Sequence, residues 1–494
     1  PPLLTLINLP YSTPSIAPLA SWRYNFKNAN YSELNDYFSS LNWNSLLDYN
    51  DINSATDSFY SIIFSAIDIC IPKSRLHNCH FPAWYKPDTI KLINKKRKTL
   101  ALYRKTSNES HYNSYRHLRS LSKTAIKNDY KKYLTYIQTN LNHNTKIFYS
   151  FINSKSQNSK SYFPKCMNFG DTCSSKPKDI ANMFANFFKS VYNQDVIDPN
   201  MTLGLSSVNN NIDLHDIDIS IDEVKNKLLS LKSSFNPGPD GIPSFFLTQC
   251  ASSLAWPIWI LYSKSLTSGT CPDIWKQSYV IPLYKSGDKK DVTNYRPISI
   301  IAALCKGLEA IISDTLTRSY AKVLTPHQHG FLPGKSTVTN LAIYNEYIID
   351  ALEEAAQVDA VYLDFCKAFD RVNHALLLKK LKIYGIRGSL HRWLASYLLN
   401  RTQKISVKGF LSDAISIPSG VPQGSHIGPI LFLIFINDLA LSLNFVRFLF
   451  FADDLKIFIK VNDLADCQAM QYTLIKITNW CSDNSMQLNN KTSP

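Results

Sequence analysis

Two adjacent carboxylates, Asp453 and Asp454, stand between apolar runs in the stretch FLFFADDLKIF, Phe448 to Phe458. Side by side they repel each other, and surroundings that apolar have no use for either charge. A third acid, Asp364, interrupts the apolar run from Val358 to Phe365, roughly ninety residues earlier. A carboxylate buried inside such a strand costs on the order of several kcal/mol unless a cation meets it. The arrangement that satisfies all three is convergence on divalent metal. Two Mg2+ ions ~3.5–4 Å apart, shared by such carboxylates, lower the pKa of an attacking hydroxyl and stabilise a leaving phosphate. Taken alone, ADD at a bend also describes an exposed acidic turn; the distant, buried-looking Asp364 is what favours metal.

The elements that must position these acids are legible nearby. NFVRFLFFADDLKIFIKV has β-formers on both sides of a three-residue break, the pattern of a hairpin with Ala452, Asp453 and Asp454 at its bend. Val358–Phe365 reads as a strand alongside it. In SGVPQGS, Ser419–Ser425, two glycines allow backbone to approach a ligand closely, and the apolar stretch that follows reads as a buried helix.

Charge marks a second region. The chain of 494 residues carries a formal net charge of +15, which favours a polyanionic partner. Between Lys91 and Lys160 stand sixteen Lys and Arg against only Glu109 and Asp129, so nearly all the net charge lies there. PDTIKLINKKRKTLALYRK predicts a helix opening at Pro87, and a second helix is expected from His111 to Asn140. Unopposed like charges repel until a counter-charge arrives, so these helices are expected to contact a phosphate backbone through Lys95, Lys96, Arg97, Lys98, Arg104, Lys105, Arg116 and Arg119. Tyrosines punctuate the segment, Tyr103 to Tyr136. Most are expected to pack between helices and some to stack on bases.

The remaining composition narrows the field. A 45% hydrophobic content supports two or three domains. The longest apolar run, GPILFLIFINDLALSL, falls short of the ~20 residues of a spanning helix. Ten cysteines without a signal peptide suggest free thiols, an intracellular setting and no membrane. HNCH (His77, Cys79, His80) and the pair Cys166 and Cys173 lack the paired spacings of a zinc site. The stretch 161–215, Ser/Asn-rich, reads as a connection. Both ends look cut from something longer.

In order and spacing, FADD, YLDFCKAFDRVNH and SGVPQGSHIGPILFLIFINDL resemble motifs of reverse transcriptases from non-LTR (LINE, jockey-like) retrotransposons. NPGPDGIP, IPLYKSGDKKDVTNYRPISI, QHGFLPGKST and WCSDNSMQLNNKT extend the resemblance over about 230–494. It implies an α+β fold: a right-hand polymerase with fingers and palm and an antiparallel palm sheet, preceded by a mostly α-helical basic N-terminal region. Residues 1–80 would be a remnant of an upstream region and the start of a linker. The basic helical extension would be 81–215, the fingers and early palm 216–355, and the palm catalytic core 356–494, cut before a thumb.

The same resemblance implies roles. Asp364, Asp453 and Asp454 would hold two Mg2+ ions, for which Mn2+ can stand in. A primer 3′-hydroxyl would attack the α-phosphate of a dNTP. Lys285 and Arg296 would grip the triphosphate. Phe369 would pack under the sugar and exclude a 2′-hydroxyl, whereas Asp370 beside it would be structural. Gln423 and Gly424 would contact nucleotide or template, and Lys491 would protonate pyrophosphate, although its spacing is one residue short. His426 and Cys366 depart from the usual residues of these motifs. Expected partners are an RNA template, a DNA primer or target and dNTPs, with an endonuclease in the full-length polyprotein. The expected settings are a cytoplasmic ribonucleoprotein and the nucleus at the target site. Two other readings stay open: an inactive nucleic-acid-binding fragment of a retroelement, and an intron-type or viral template-directed polymerase. Phe369 speaks against a polymerase that takes ribonucleotides.

Overall fold

In the computed structural model the described residues are 22–75, 81–82, 84–141, 145–155, 163–193 and 212–489. The chain divides into two compact units, residues 1–23 with 73–164, and residues 24–72 with 165–494.

The first unit is built on the two basic helices, Pro87–Thr106 and Glu109–Thr139. Pro87 opens the first, where its missing N–H costs nothing. Ser107 closes it in the left-handed region at φ +48°, and the Asn108 side chain caps the second by accepting from the Ser110 N–H. Ile93, Leu118 and Ile137 are buried. The rings of Tyr103 and Tyr112 meet at 5.0 Å, and Trp84 packs against Tyr130 and Tyr133. Most of these tyrosines are thus packing residues, while Tyr136 stays exposed. Asp129 is the acid set among the basic residues of the second helix. It is buried and accepts from the Lys86 N–H at 3.0 Å and the Thr89 hydroxyl at 2.6 Å.

The second unit has one continuous apolar core, running from Phe26 to Met486. Helices α1 (Tyr31–Ser40) and α2 (Ile52–Cys70) bury Leu34, Phe38, Phe59 and Ile63 within it. The Tyr60 hydroxyl donates to Asp240 of NPGPDGIP at 3.0 Å. Residues 24–72 therefore share one compact unit and one core with the motifs. The stretch 161–215 is also more than a connection. It holds strands β1 (Met167–Phe169) and β2 (Thr172–Ser174) and the amphipathic helix α3 (Pro177–Val191), whose buried face includes Phe184, Phe187 and Phe188. Cys166 and Cys173, expected as free thiols, form a disulfide across that hairpin, whose antiparallel pairing brings their Cα atoms to 6.6 Å. His77, Cys79 and His80 lie outside the described residues.

Two sheets carry the motifs. Strands β3 (Gln277–Tyr284) and β4 (Tyr295–Ile301) pair antiparallel in the larger one. Helix α4 (Thr337–Glu353) precedes β5 (Gln357–Leu363). Strand β6 (Arg401–Val407) adds parallel to β3, so the larger sheet is mixed. The stretch after SGVPQGS is helix α5 (Gly428–Ile436), which buries all but one of its residues, as expected of an apolar run. The smaller sheet is antiparallel in the order β7 (Arg447–Phe451), β8 (Asp454–Val461), β5. No helix among the described residues is long and apolar enough to cross a membrane.

Candidate active site

The β7–β8 hairpin closes tightly. Phe451 pairs with Asp454, leaving only Ala452 and Asp453 in the loop, so Asp454 begins β8 rather than sharing the bend. Ala452 adopts φ +57°, a left-handed conformation of the kind short hairpin loops require. Strand β8 also pairs with β5, with Leu455 opposite Leu363. Asp454 and Asp364 are the next residues beyond that last pair, close enough for the charge of Asp364 to act on Asp454. The three acids converge.

Asp364 is not buried inside its strand as expected. The ladder ends at Leu363, and Asp364 stands exposed just beyond it. Its backbone carbonyl accepts from the Asn489 N–H at 2.8 Å and its Oδ2 from the Asn489 side-chain amide at 3.0 Å. No local signal marked Asn489, because the contact spans 125 residues.

The electrostatics follow from convergence. Burial pushes the Asp453 carboxyl above its usual range, and the charges of Asp454 and Asp364 push it further. Asp454 is raised by burial and by Asp364. Arg296 opposes both shifts, and Lys285 opposes that of Asp454. These two exposed cations stand at the end of the β3–β4 ribbon, where the Lys285 N–H donates to the Asn294 carbonyl at 2.9 Å. Lys367, which the motif reading passed over, is a third cation here. Burial lowers its pKa, Asp370 raises it, and the positive charges of Lys285 and Arg296 lower it again. The site thus sets three acids opposite Arg296 and Lys285, with Lys367 near those two cations and Asp370.

Phe369 is half-buried, stacked on Phe432 of α5 at 4.5 Å and edge-on to Phe331 at 6.1 Å. The loop before α5 is bound to the same segment, since the Val421 N–H donates to the Phe369 carbonyl at 2.8 Å. Its glycines are required by close approaches within the chain itself. A Cβ on Gly424 would meet the Ser299 carbonyl at 2.8 Å, and one on Gly420 would meet the Asp370 carbonyl at 2.7 Å. The Gln423 side chain donates to Asp370 Oδ1 at 3.0 Å. Asp370 is buried, and its carboxyl is pushed up to about 6 by that burial.

Lys491 lies outside the described residues. Lys95, Arg97, Lys98, Arg104, Lys105, Arg116 and Arg119 are exposed on the two helices of the first unit, and Lys96 is half-buried. Arg97 lies over the Phe81 ring at 5.3 Å. Among the described residues, no three His, Cys, Asp or Glu side chains are gathered closely enough to hold a metal ion by themselves.

Residues 287–493 match the family described as reverse transcriptase (RNA-dependent DNA polymerase). A probable RNA-directed DNA polymerase from transposon BS of Drosophila melanogaster is 30% identical over 230 residues, 45% of this chain and 25% of that protein. The RNA-directed DNA polymerase from mobile element jockey of the same species is 30% identical over 224 residues, 45% of this chain and 24% of that one. A Pol polyprotein from the type-1 retrotransposable element R2 of Popillia japonica is 30% identical over 241 residues, 46% and 33% of the two chains. The matched region spans about a quarter to a third of these relatives. On its ordered motifs and these matches, the segment 287–493 is similar to the reverse transcriptases of such mobile elements.

Proposed function

We propose that this chain is an RNA-directed DNA polymerase that transfers nucleotidyl groups from dNTPs to a primer 3′-hydroxyl. The observation that supports the reading is the register of the smaller sheet, in which Leu363 pairs with Leu455 and Phe451 with Asp454, so that Asp364, Asp453 and Asp454 all stand at the same end of it. That sheet would be the palm, and the β3–β4 ribbon part of the fingers.

The donor set fits Mg2+. Burial, and then the acids' charges on one another, push the carboxyls of Asp453 and Asp454 upward, and the acids do not form a closed cage. Mg2+ is usually held by one or two carboxylates together with substrate phosphates and water, not by an all-protein cage. Asp364, Asp453 and Asp454 would hold it, with Mn2+ as a substitute. When bound, the metal neutralises phosphate charge and makes the attacking hydroxyl more acidic.

The chain's own groups do the rest. Arg296, Lys285 and Lys367 draw the triphosphate to the acids' side of the cleft, the guanidinium by paired hydrogen bonds to phosphate oxygens. The 3′-oxygen attacks the α-phosphorus in line as the bond to the bridging oxygen breaks, and pyrophosphate leaves. Phe369, held rigid against Phe432, offers the sugar an apolar face that cannot accept a hydrogen bond from a 2′-hydroxyl. Gln423 and Gly424 shape the floor beside it. Lys491 is the proposed proton donor to pyrophosphate. The basic helices of the first unit would bind template or target backbone through the exposed cations from Lys95 to Arg119. An endonuclease in the full-length polyprotein, a cytoplasmic ribonucleoprotein and action in the nucleus complete the proposal.

Primer extension on an RNA template with dNTPs and Mg2+ tests it. The expected result is extension that Asp453→Ala abolishes while template binding persists. Tight template binding with no extension by the parent chain would overturn the reading and leave an inactive nucleic-acid-binding fragment.

A further inference from the structure

The motif QHGFLPGKST has no role in the chemistry above, yet its first residues lie against the catalytic turn. The segment 327–329 runs parallel beside β7. The Phe450 N–H donates to the His327 carbonyl and the His329 N–H to the Phe450 carbonyl, each at 2.9 Å. This brings Gln328, only 2% exposed, to the two-residue loop that carries Asp453.

Ala452 is the first residue of that loop, so neither its N–H nor its carbonyl has a partner in the β7–β8 ladder. Buried backbone polar groups need partners, and one side chain supplies both. Gln328 Oε1 accepts from the Ala452 N–H at 2.9 Å, and its Nε2 donates to the Ala452 carbonyl at 3.3 Å. The same Oε1 accepts from the Gly330 N–H at 2.8 Å, which fixes the amide's own orientation. Gly330 must lack a side chain for this to work. A Cβ there would lie 2.3 Å from the Ala452 nitrogen, which is backbone and cannot swing aside.

The turn needs such support. Ala452 holds φ +57° without being glycine, and the next two residues are acids that repel each other and Asp364. We infer that Gln328 is a positioning residue for catalysis: its amide clamps Ala452 through both backbone groups and so fixes where Asp453 presents its carboxylate. The inference rests on the polymerase reading for its consequence, but the clamp is testable without activity.

The test compares the full chain with Gln328→Met, which keeps the shape and loses the hydrogen bonds. Three quantities are measured: peptide-resolved hydrogen exchange across Phe448–Leu455, Mn2+ affinity by electron paramagnetic resonance, and kcat and KM for dNTP in primer extension. In Gln328→Met, exchange should quicken by about tenfold, the scale of one buried hydrogen bond. Mn2+ should bind several-fold more weakly, and kcat should fall while KM for dNTP stays near the parent's. If Gln328→Met does not fold, Gln328→Asn, shorter by one methylene, must move the same quantities in the same direction. Unchanged exchange refutes the clamp. Faster exchange with parental Mn2+ affinity and kcat refutes positioning. A parent that binds Mn2+ but extends nothing sinks the polymerase reading instead, and the clamp is then decided by exchange and Mn2+ affinity alone.

Discussion

Replacing Asp370 with Asn should make the protein more stable, and only at neutral pH. Asp370 is buried beneath the loop before α5, where burial pushes its carboxyl up to about 6 while Lys367 and the Gln423 amide pull part of the way back. A carboxyl with a raised folded-state pKa costs stability when it ionises, because the unfolded chain, near 3.8, gives up its proton more readily. The shift of about 2 units, at 1.36 kcal/mol each, puts the cost at about 3 kcal/mol above pH ~7. As pH falls through 6 the folded state takes up the proton first, and by pH ~4 less than about 1 kcal/mol remains. Asn keeps an oxygen for the Gln423 N–H and removes the charge. Urea unfolding of parent and Asp370→Asn at pH 7.5 and pH 4 reads the difference directly. The variant should lead by up to about 3 kcal/mol at the higher pH and be nearly level at the lower. A variant less stable than the parent at pH 7.5, or a gap that does not change with pH, would show that Asp370 is not a buried ionised acid.

Other perturbations probe other parts of the molecule. Phe369→Val should cut the preference for deoxynucleotides over ribonucleotides by about tenfold or more, measured as a ratio of kcat/KM values; equal discrimination would refute the gate. Lys380 is buried with its ammonium donating to Asp438 Oδ1 and the Phe435 carbonyl, each at 2.8 Å. Lys380→Met alone should cost about 3–5 kcal/mol by leaving Asp438 unpaired, and adding Asp438→Leu should recover most of it in denaturant unfolding. If the double variant is as unstable as the single one, the cost lies in packing, not charge. Changing Lys95, Lys98 and Arg104 together to Gln should flatten the dependence of log affinity for single-stranded RNA on log salt by up to about 2, at ~0.7 for each phosphate no longer neutralised. An unchanged slope would remove the basic helices from the nucleic-acid interface.

Much of this protein was legible locally. Helical periodicity and Pro87 marked the basic helices within two residues of their ends, because a helix opens and closes on signals a few residues apart. The β-formers flanking Ala452 and Asp453 marked the hairpin for the same reason. The acids stood out as charges in apolar runs, and the order of the motifs gave the family. What those residues touch was less legible. Gly424 and Gly420 suggested space for a ligand, but the space is taken by Ser299 and Asp370 backbone. The hydrogen bond from the Gln423 amide to Asp370 left no trace in the sequence either.

The candidate acids were therefore legible from residue type and short-range pattern, and Lys285, Arg296 and Phe369 from the order of the motifs, whereas Lys367 was not. Tertiary structure alone decides that Asp364 ends its strand under the Asn489 amide, that residues 24–72 share a core with the motifs, and that Gln328 holds the turn 124 residues away. Each of these depends on hydrogen bonds or packing between segments whose separation along the chain leaves no periodic trace. Such contacts exist only once the sheets have formed.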